Sequence, residues 1–390
     1  MNIPITKPFF GPEELRAVQE PLESGWVVQG PFVQEFEKRF SAFTRAPHAA
    51  AASSCTTALH LAVAALGLRP GDDVIVPAFT WVATPNVVEY MGARPIFADV
   101  SLETFNISPA LAAAAVTAKT VGIIPVHLFG LCAEMAPLGR LAEKHSLWTV
   151  EDAACGFGAW SGGRHAGTFG DFGCFSFHPR KSITTGEGGM VTSARQDLHD
   201  QVCSLRDHGA TRTDRERHEQ KGSFLLASYP HLGYNYRLTD IQGALGCVQM
   251  SRAQTLLDGR TRAARRYSER LAGLEWLRIP AAPEGDVHGW QSYVCLFRPE
   301  MPTLQNVDRL HARRNMLMAA LETQGIATRQ GTHAPVIQSY YAEKYAIRPE
   351  DFPNSYLADR LTLSLPLYPQ ITDAEIDYVV DALASGIDRV

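Results

Sequence analysis

Lys181 lies four residues beyond Phe175-Ser-Phe177, which reads as the end of an apolar strand. A lysine just past a strand end stands where α/β proteins bind their ligands. Buried or flanked by cations, such an amine has a lowered pKa and condenses with aldehydes. A lysine taken at random is far more often a solvated surface charge. Upstream, Trp148-Thr-Val-Glu-Asp152-Ala-Ala154 reads as a buried strand ending in two acids. An acid at that end can enter the same crevice. There its carboxylate would keep the nitrogen of an aromatic cofactor ring protonated, so that the ring accepts electrons from a carbanion. The same acid would serve equally well as a cap for the next helix. In Ala52-Ser-Ser-Cys-Thr56-Thr57-Ala, small polar residues enter a helix. Amides and hydroxyls at a helix start suit a phosphate dianion, although an ordinary cap looks the same. The G-x-x-x-x-G-K pattern of a nucleotide-binding P-loop is absent.

These groups need a scaffold, and the pattern from about residue 50 to 195 supplies one. Thr56–Leu66 reads as a helix, Arg69–Asp73 as a turn and Val74–Val76 as a strand. Ala83–Tyr90 reads as a helix that admits Pro85 in its first turn. Pro95–Val100, Thr120–Val126 and Trp148–Glu151 read as further strands. Strands alternating with helices imply a mostly parallel sheet covered on both faces. Residues 235–275 look helical and rich in arginine. Beyond them a strand (Ser292–Phe297), a long helix (about 306–324) and a last helix (373–385) predict a smaller α+β domain. The expected division is a large α/β domain over 1–255, with the N-terminal segment, and a small domain over 256–390.

The 390 residues are 45% hydrophobic, enough for a large core, and the formal charge of -5 gives no reason to expect nucleic acid or a membrane surface as partner. No basic and apolar blocks of a signal peptide stand at the N-terminus, and no apolar run is long enough to span a bilayer. Seven cysteines (55, 132, 155, 174, 203, 247 and 295) form no C-x-x-C pair. Neither a disulfide framework nor a metal site is expected, and a reducing cytoplasm fits best.

The motifs occur in order along nearly the whole chain. They are Ser24-Gly-Trp26 with Gly30-Pro31, Pro70–Pro77, Phe79-Thr-Trp-Val-Ala-Thr84, Glu151-Asp-Ala-Ala154, Ser176-Phe-His-Pro-Arg-Lys181, Thr185-Gly-Glu-Gly-Gly189, Gly233-Tyr-Asn-Tyr-Arg237 and Ser364–Pro369. This set resembles the DegT/DnrJ/StrS family of pyridoxal-5′-phosphate (PLP)-dependent sugar aminotransferases. The resemblance implies the type I aminotransferase fold: a mostly parallel seven-stranded sheet in the large domain and a small α+β C-terminal domain. It implies Lys181 as the cofactor lysine and proton shuttle, and Asp152 as partner of the pyridine nitrogen. Thr56, Thr57 and Ser176 become phosphate ligands, and Trp81 packs on the ring. Asn235 corresponds to an asparagine that reaches the phosphate of the second subunit, so a homodimer with shared sites is implied. The expected donor is L-glutamate and the expected acceptor a nucleotide-linked keto-deoxysugar. The 4-keto position is favoured because Thr184-Thr-Gly-Glu-Gly-Gly-Met190 is similar to perosamine-synthase-like relatives; a 3-keto sugar is close behind.

Three positions depart from the family pattern. Cys155 stands where relatives often place His or Gln near the ring oxygen, and Cys55 where many have Gly in the phosphate loop. The loop Thr328–Pro335 differs from the common form; Arg329, Gln330 and His333, with Arg237, are candidate substrate contacts, and a solvated loop is the plain alternative. Arg206, Arg212, Arg215, Arg217 and Lys221 would meet a pyrophosphate or simply make a charged surface loop. Rival activities are a sugar dehydratase, a non-catalytic relative, and an aminotransferase for a cyclitol or other non-nucleotide ketone. Dehydrating relatives carry His at the lysine position, which disfavours the first.

Overall fold

The computed structural model describes residues 1–211 and 227–387. Seven strands form its main sheet: β1 (His48–Ala52), β2 (Asp73–Pro77), β3 (Arg94–Ala98), β4 (Thr120–Ile123), β5 (Trp148–Asp152), β8 (Phe172–Ser176) and β9 (Gly189–Ser193). A short hairpin, β6 (Trp160–Ser161) and β7 (Arg164–His165), intervenes. The order is β1-β9-β8-β5-β4-β2-β3. β8, β5, β4, β2 and β3 run parallel, and β9 lies antiparallel between β1 and β8. The predicted mostly parallel sheet is therefore present. Helices cover both faces, so β2 and β9 are buried along their whole length.

Two boundaries differ from expectation for physical reasons. The strand expected over Thr120–Val126 ends at Ile123, because Pro125 has no amide to give to a ladder. The pairing resumes only as an isolated bridge between Val126 and Asp152. The helical stretch expected over 235–275 begins at Asp240 and breaks at Arg252 into two helices, Asp240–Ser251 and Ala253–Leu271. β9 and the hairpin β6–β7 had no periodic apolar signal in the sequence.

The smaller sheet holds β10 (Leu277–Arg278), β11 (Tyr293–Phe297) and β12 (Thr362–Leu365), all antiparallel. The helices Val307–Thr323 and Asp373–Gly386 pack with it. Three arginines of Ala253–Leu271 face the last helix. Arg262 pairs with Asp373, Arg266 with Asp377 at 2.7 Å and Arg270 with Asp381 at 2.9 Å. Each exposed pair contributes little alone, about 0–1 kcal/mol, yet the row fixes the register of the two helices. The chain start is sewn into the same region. The amides of Ile3, Ala327 and Leu367 donate to Gly325, Ile3 and Ile5 carbonyls at 2.8, 3.0 and 3.0 Å. None of the described helices is long and apolar enough to cross a membrane.

Candidate active site

The carboxyl ends of β5 and β8 open into a cleft of about 810 Å³. The large sheet supplies one wall, and residues 328–333 with the end of β12 supply the other. Lys181, Asp152, Cys55, Thr56, Trp81, Cys155, Ser176, Arg329, Gln330 and His333 all line it. Residues far apart in sequence thus share one space.

Alternation along β5 separates its two acids. Glu151 points away from the cleft. It accepts hydrogen bonds from the amides of Gly167, Phe169 and Gly170 at 2.6–2.7 Å. Its Oε2 also lies 2.7 Å from His127 Nε2. His127 Nδ1 accepts from the Ala133 amide at 3.0 Å, so Nε2 is the nitrogen that carries the hydrogen toward Glu151. That carboxylate is spent on structure. Asp152 faces the cleft. Its Oδ2 accepts from the Thr84 hydroxyl at 2.7 Å and its Oδ1 from the Ala154 amide at 3.1 Å. Thr80 lies behind, with Oγ1 3.1 Å from that of Thr84. Burial pushes the Asp152 carboxyl up; the Thr84 hydroxyl, the Ala154 amide and the Lys181 charge oppose the push. The local bond to Ala154 and the outlook onto the cleft coexist, while no helix follows β5 directly for this acid to cap.

The helix Cys55–Ala65 begins with a capping box: the Ser54 hydroxyl accepts from the Thr57 amide, and the Ser54 amide donates to the Thr57 hydroxyl. Thr57 is thereby consumed. Its hydroxyl, expected on a phosphate, does not line the cleft, because the box turns it toward Ser54. The amides of Cys55 and Thr56 find no acceptor among the described residues. With Thr56 and Ser176, which line the cleft, they form a set of donors at the positive helix end that suits an anion. Cys55 tolerates its place because its side chain is buried, with Sγ 3.5 Å from the Cys174 carbonyl, while its amide stays free. Opposite, a Cβ on Gly189 would lie 2.3 Å from the Ser54 carbonyl oxygen. Only glycine lets β9 approach this loop.

Lys181 is half-buried, and its Nζ donates to Cys155 Sγ at 3.2 Å. Its backbone carbonyl accepts from Arg260 at 3.2 Å. Arg260 is buried without a carboxylate; it also donates to the Trp290, Gln291 and Leu367 carbonyls at 3.3, 3.1 and 3.3 Å. Burial pulls its guanidinium down to about 10. This arginine ties the lysine loop to two segments of the smaller sheet region.

Trp81 is 53% exposed at the cleft, with its ring 6.0 Å from that of His333. The loop 328–335 is anchored through its backbone, while the side chains of Arg329 and His333 are exposed. Arg329 exchanges backbone bonds with Ser364, the Ala334 amide reaches Asp359, and the Thr80 amide reaches the His333 carbonyl. Arg237 and Asn235 do not line the cleft. Arg237 pairs with Asp207 at 2.5 Å, and Asn235 is exposed, its backbone bridged to Asp207. Neighbouring Tyr234 and Tyr236 stack, and the Tyr236 hydroxyl lies 3.1 Å from His60 Nδ1. Arg206 is no candidate for a pyrophosphate: it is buried and donates to Glu37 and to the Ala51 carbonyl. Arg212, Arg215, Arg217 and Lys221 lie outside the described residues.

Sequence reasoning missed Thr84, Arg260, Arg180 and Gln291. The motif Phe79–Thr84, which ends on it, was the usable signal for the first. Arg180 adjoins Lys181 and lines the cleft. Nothing local marks Arg260, which reaches the lysine only through the fold.

Comparison with known proteins agrees with this geometry. Residues 9–384 match the DegT/DnrJ/EryC1/StrS aminotransferase family. The spore coat polysaccharide biosynthesis protein SpsC of Bacillus subtilis (strain 168) is 36% identical over 384 residues, covering 98% of this chain and 96% of that protein. The putative sugar aminotransferase Spr1654 from Streptococcus pneumoniae, in its PMP-form, superposes with a TM-score of 0.91 at 29% identity, covering all of both chains. Its PLP-form gives 0.89 at 28%, covering 100% of this chain and 99% of that one.

Proposed function

Because this chain belongs to the DegT/DnrJ/EryC1/StrS aminotransferase family, we propose that it is a PLP-dependent enzyme moving an amino group from L-glutamate to a nucleotide-linked keto-deoxysugar, at the 4-keto position by preference. The observation that carries this reading is the convergence of Lys181, the Asp152 carboxylate and the two free helix amides on one cleft. These residues fit PLP. A dianionic phosphate suits the Cys55 and Thr56 amides with the Thr56 and Ser176 hydroxyls, and a pyridine nitrogen suits the buried acid.

When bound, PLP supplies an electron sink and a carrier for the amine. Asp152 holds the ring nitrogen protonated, and Thr84 fixes the direction of that carboxylate. Trp81 covers the ring. Lys181 anchors the cofactor; released, its Nζ takes the proton from the donor's α-carbon and returns one to the sugar carbon that receives nitrogen, a general base and acid in turn. Donor and acceptor use the cleft in succession. Arg329, Gln330 and His333 meet the nucleotide sugar, and the working unit is a homodimer in which Asn235 serves the neighbour's site.

Borohydride reduction of the PLP-loaded protein, followed by peptide mapping, is expected to tag Lys181; a tag on another lysine rejects the assignment. A glutamate-loaded enzyme screened by mass spectrometry should aminate nucleotide-linked keto-sugars. Faster amination of a free keto-cyclitol than of every nucleotide sugar would reject the acceptor class and leave the cofactor assignment standing.

A further inference from the structure

Cys155 and Lys181 form a pair that the transamination reading does not use. Sγ and Nζ are 3.2 Å apart, both groups line the open cleft, and Cys155 is half-buried. The thiolate is the form of cysteine that attacks electrophiles, and Cys155 Sγ meets the Lys181 amine at the open cleft. The two nearest thiols are of another kind. Cys55 and Cys174 are buried, and burial pushes both far up, so they stay protonated. Of the seven cysteines only Cys155 and Cys203 are not buried, and Cys203 lies on a helix against His199.

We propose that Cys155 is a redox modification site, at which a hydroperoxide converts the Cys155–Lys181 pair into an intrachain sulfenamide that closes the cofactor site. In the first step the Cys155 thiolate attacks one peroxide oxygen. An S–O bond forms, the O–O bond breaks, and the departing hydroxide takes a proton from Lys181 Nζ and leaves as water, so that the amine becomes neutral. Sulfur has lost two electrons and peroxide has gained them. In the second step the neutral Lys181 Nζ attacks that sulfur. An S–N bond forms, the S–O bond breaks, and a second water leaves with a proton from nitrogen; no further electrons move. A thiol reductant reverses the bond: its sulfur attacks Cys155, the S–N bond breaks, nitrogen takes up a proton, and a second thiol frees Cys155 by disulfide exchange. The contact distance favours the amine as trap over a second peroxide.

The blocking consequence rests on Lys181 being the cofactor lysine; the bond itself does not. The test treats the full chain, free of cofactor, with a small excess of hydrogen peroxide, and follows intact mass and peptide maps. The expected product is lighter than the reduced chain by two hydrogen atoms. It contains one peptide joining Cys155 to Lys181, loses PLP capture in parallel, and regains it with dithiothreitol. Saturation with PLP is expected to suppress the product. Lys181→Ala should instead gain oxygen at Cys155, and Cys155→Ser should give no joined peptide. A wild-type chain that gains oxygen at Cys155 without the joined peptide overturns the proposal, as does Cys203 reacting first; equal yields with and without PLP overturn the closing of the cofactor site. Borohydride tagging of untreated protein reports on the cofactor lysine independently, so a tag there with no joined peptide rejects this inference alone.

Discussion

Asp152 shows how one side chain is placed between stability and chemistry. Its carboxyl is pushed up by burial, so in the cofactor-free chain its protonated form is the stabilising one. That contribution is full below the ordinary value of 3.8 and is lost as pH rises through the raised folded value. Asp152→Asn removes the buried charge and is expected to raise the Tm of the cofactor-free protein at neutral pH, with the gain vanishing as pH falls toward 3.8. The same change should slow both half-reactions about a hundred- to a thousandfold, the roughly 3–4 kcal/mol of a lost electrostatic stabiliser. Calorimetry and stopped-flow absorbance check the two arms; wild-type turnover would overturn the role. Asp152 and Lys181 were legible in sequence because both follow apolar strands. Thr57 was misread for an equally local reason: two adjacent threonines before a helix are indistinguishable until the capping box claims one of them.

At the scale of elements, the approach of β9 to the phosphate loop is the tightest requirement. Gly189→Ala places a methyl 2.3 Å from the Ser54 carbonyl, and backbone on both sides has little room to give. Overpacking costs about 1–3 kcal/mol, so PLP capture should weaken roughly five- to hundredfold in a fluorescence titration, with Ser54 as the displaced point. β9 was hidden in sequence because its small residues carry no strand period, although Thr185–Gly189 stood out as a motif. Arg260 acts between elements. Arg260→Met leaves the Lys181, Trp290, Gln291 and Leu367 carbonyls without their donor. A loss of about 3 kcal/mol in unfolding free energy is expected, the cost of one or two orphaned acceptors, read by urea denaturation. Such a residue cannot be found from spacing, because its partners come from three separate stretches of chain.

The molecule as a whole carries the predictions about partners. If Asn235 serves the neighbour's cofactor, inactive Lys181→Ala and Asn235→Ala chains should regain activity when mixed, since one of the two shared sites in a hybrid dimer keeps both residues. A fully active monomer in sedimentation would rule this out. Arg329→Ala should raise the sugar KM about tenfold or more, in line with roughly 1.5–3 kcal/mol for a charge-assisted bond, and leave the glutamate half-reaction unchanged. Sheet class and the smaller C-terminal sheet were readable from alternating periods, whereas the sewing of residues 3–5 onto residues 325–327 and 367 was not. That seam has a consequence for synthesis. Ile3 leaves the ribosome long before Gly325, whose carbonyl its amide meets in the fold. At about 5–20 residues per second, that interval is roughly a quarter-minute to a minute. During it the large sheet can assemble while the far wall of the cleft does not yet exist. A nascent chain halted before residue 325 is therefore expected to expose Ile3 to protease, and release of the full chain to protect it.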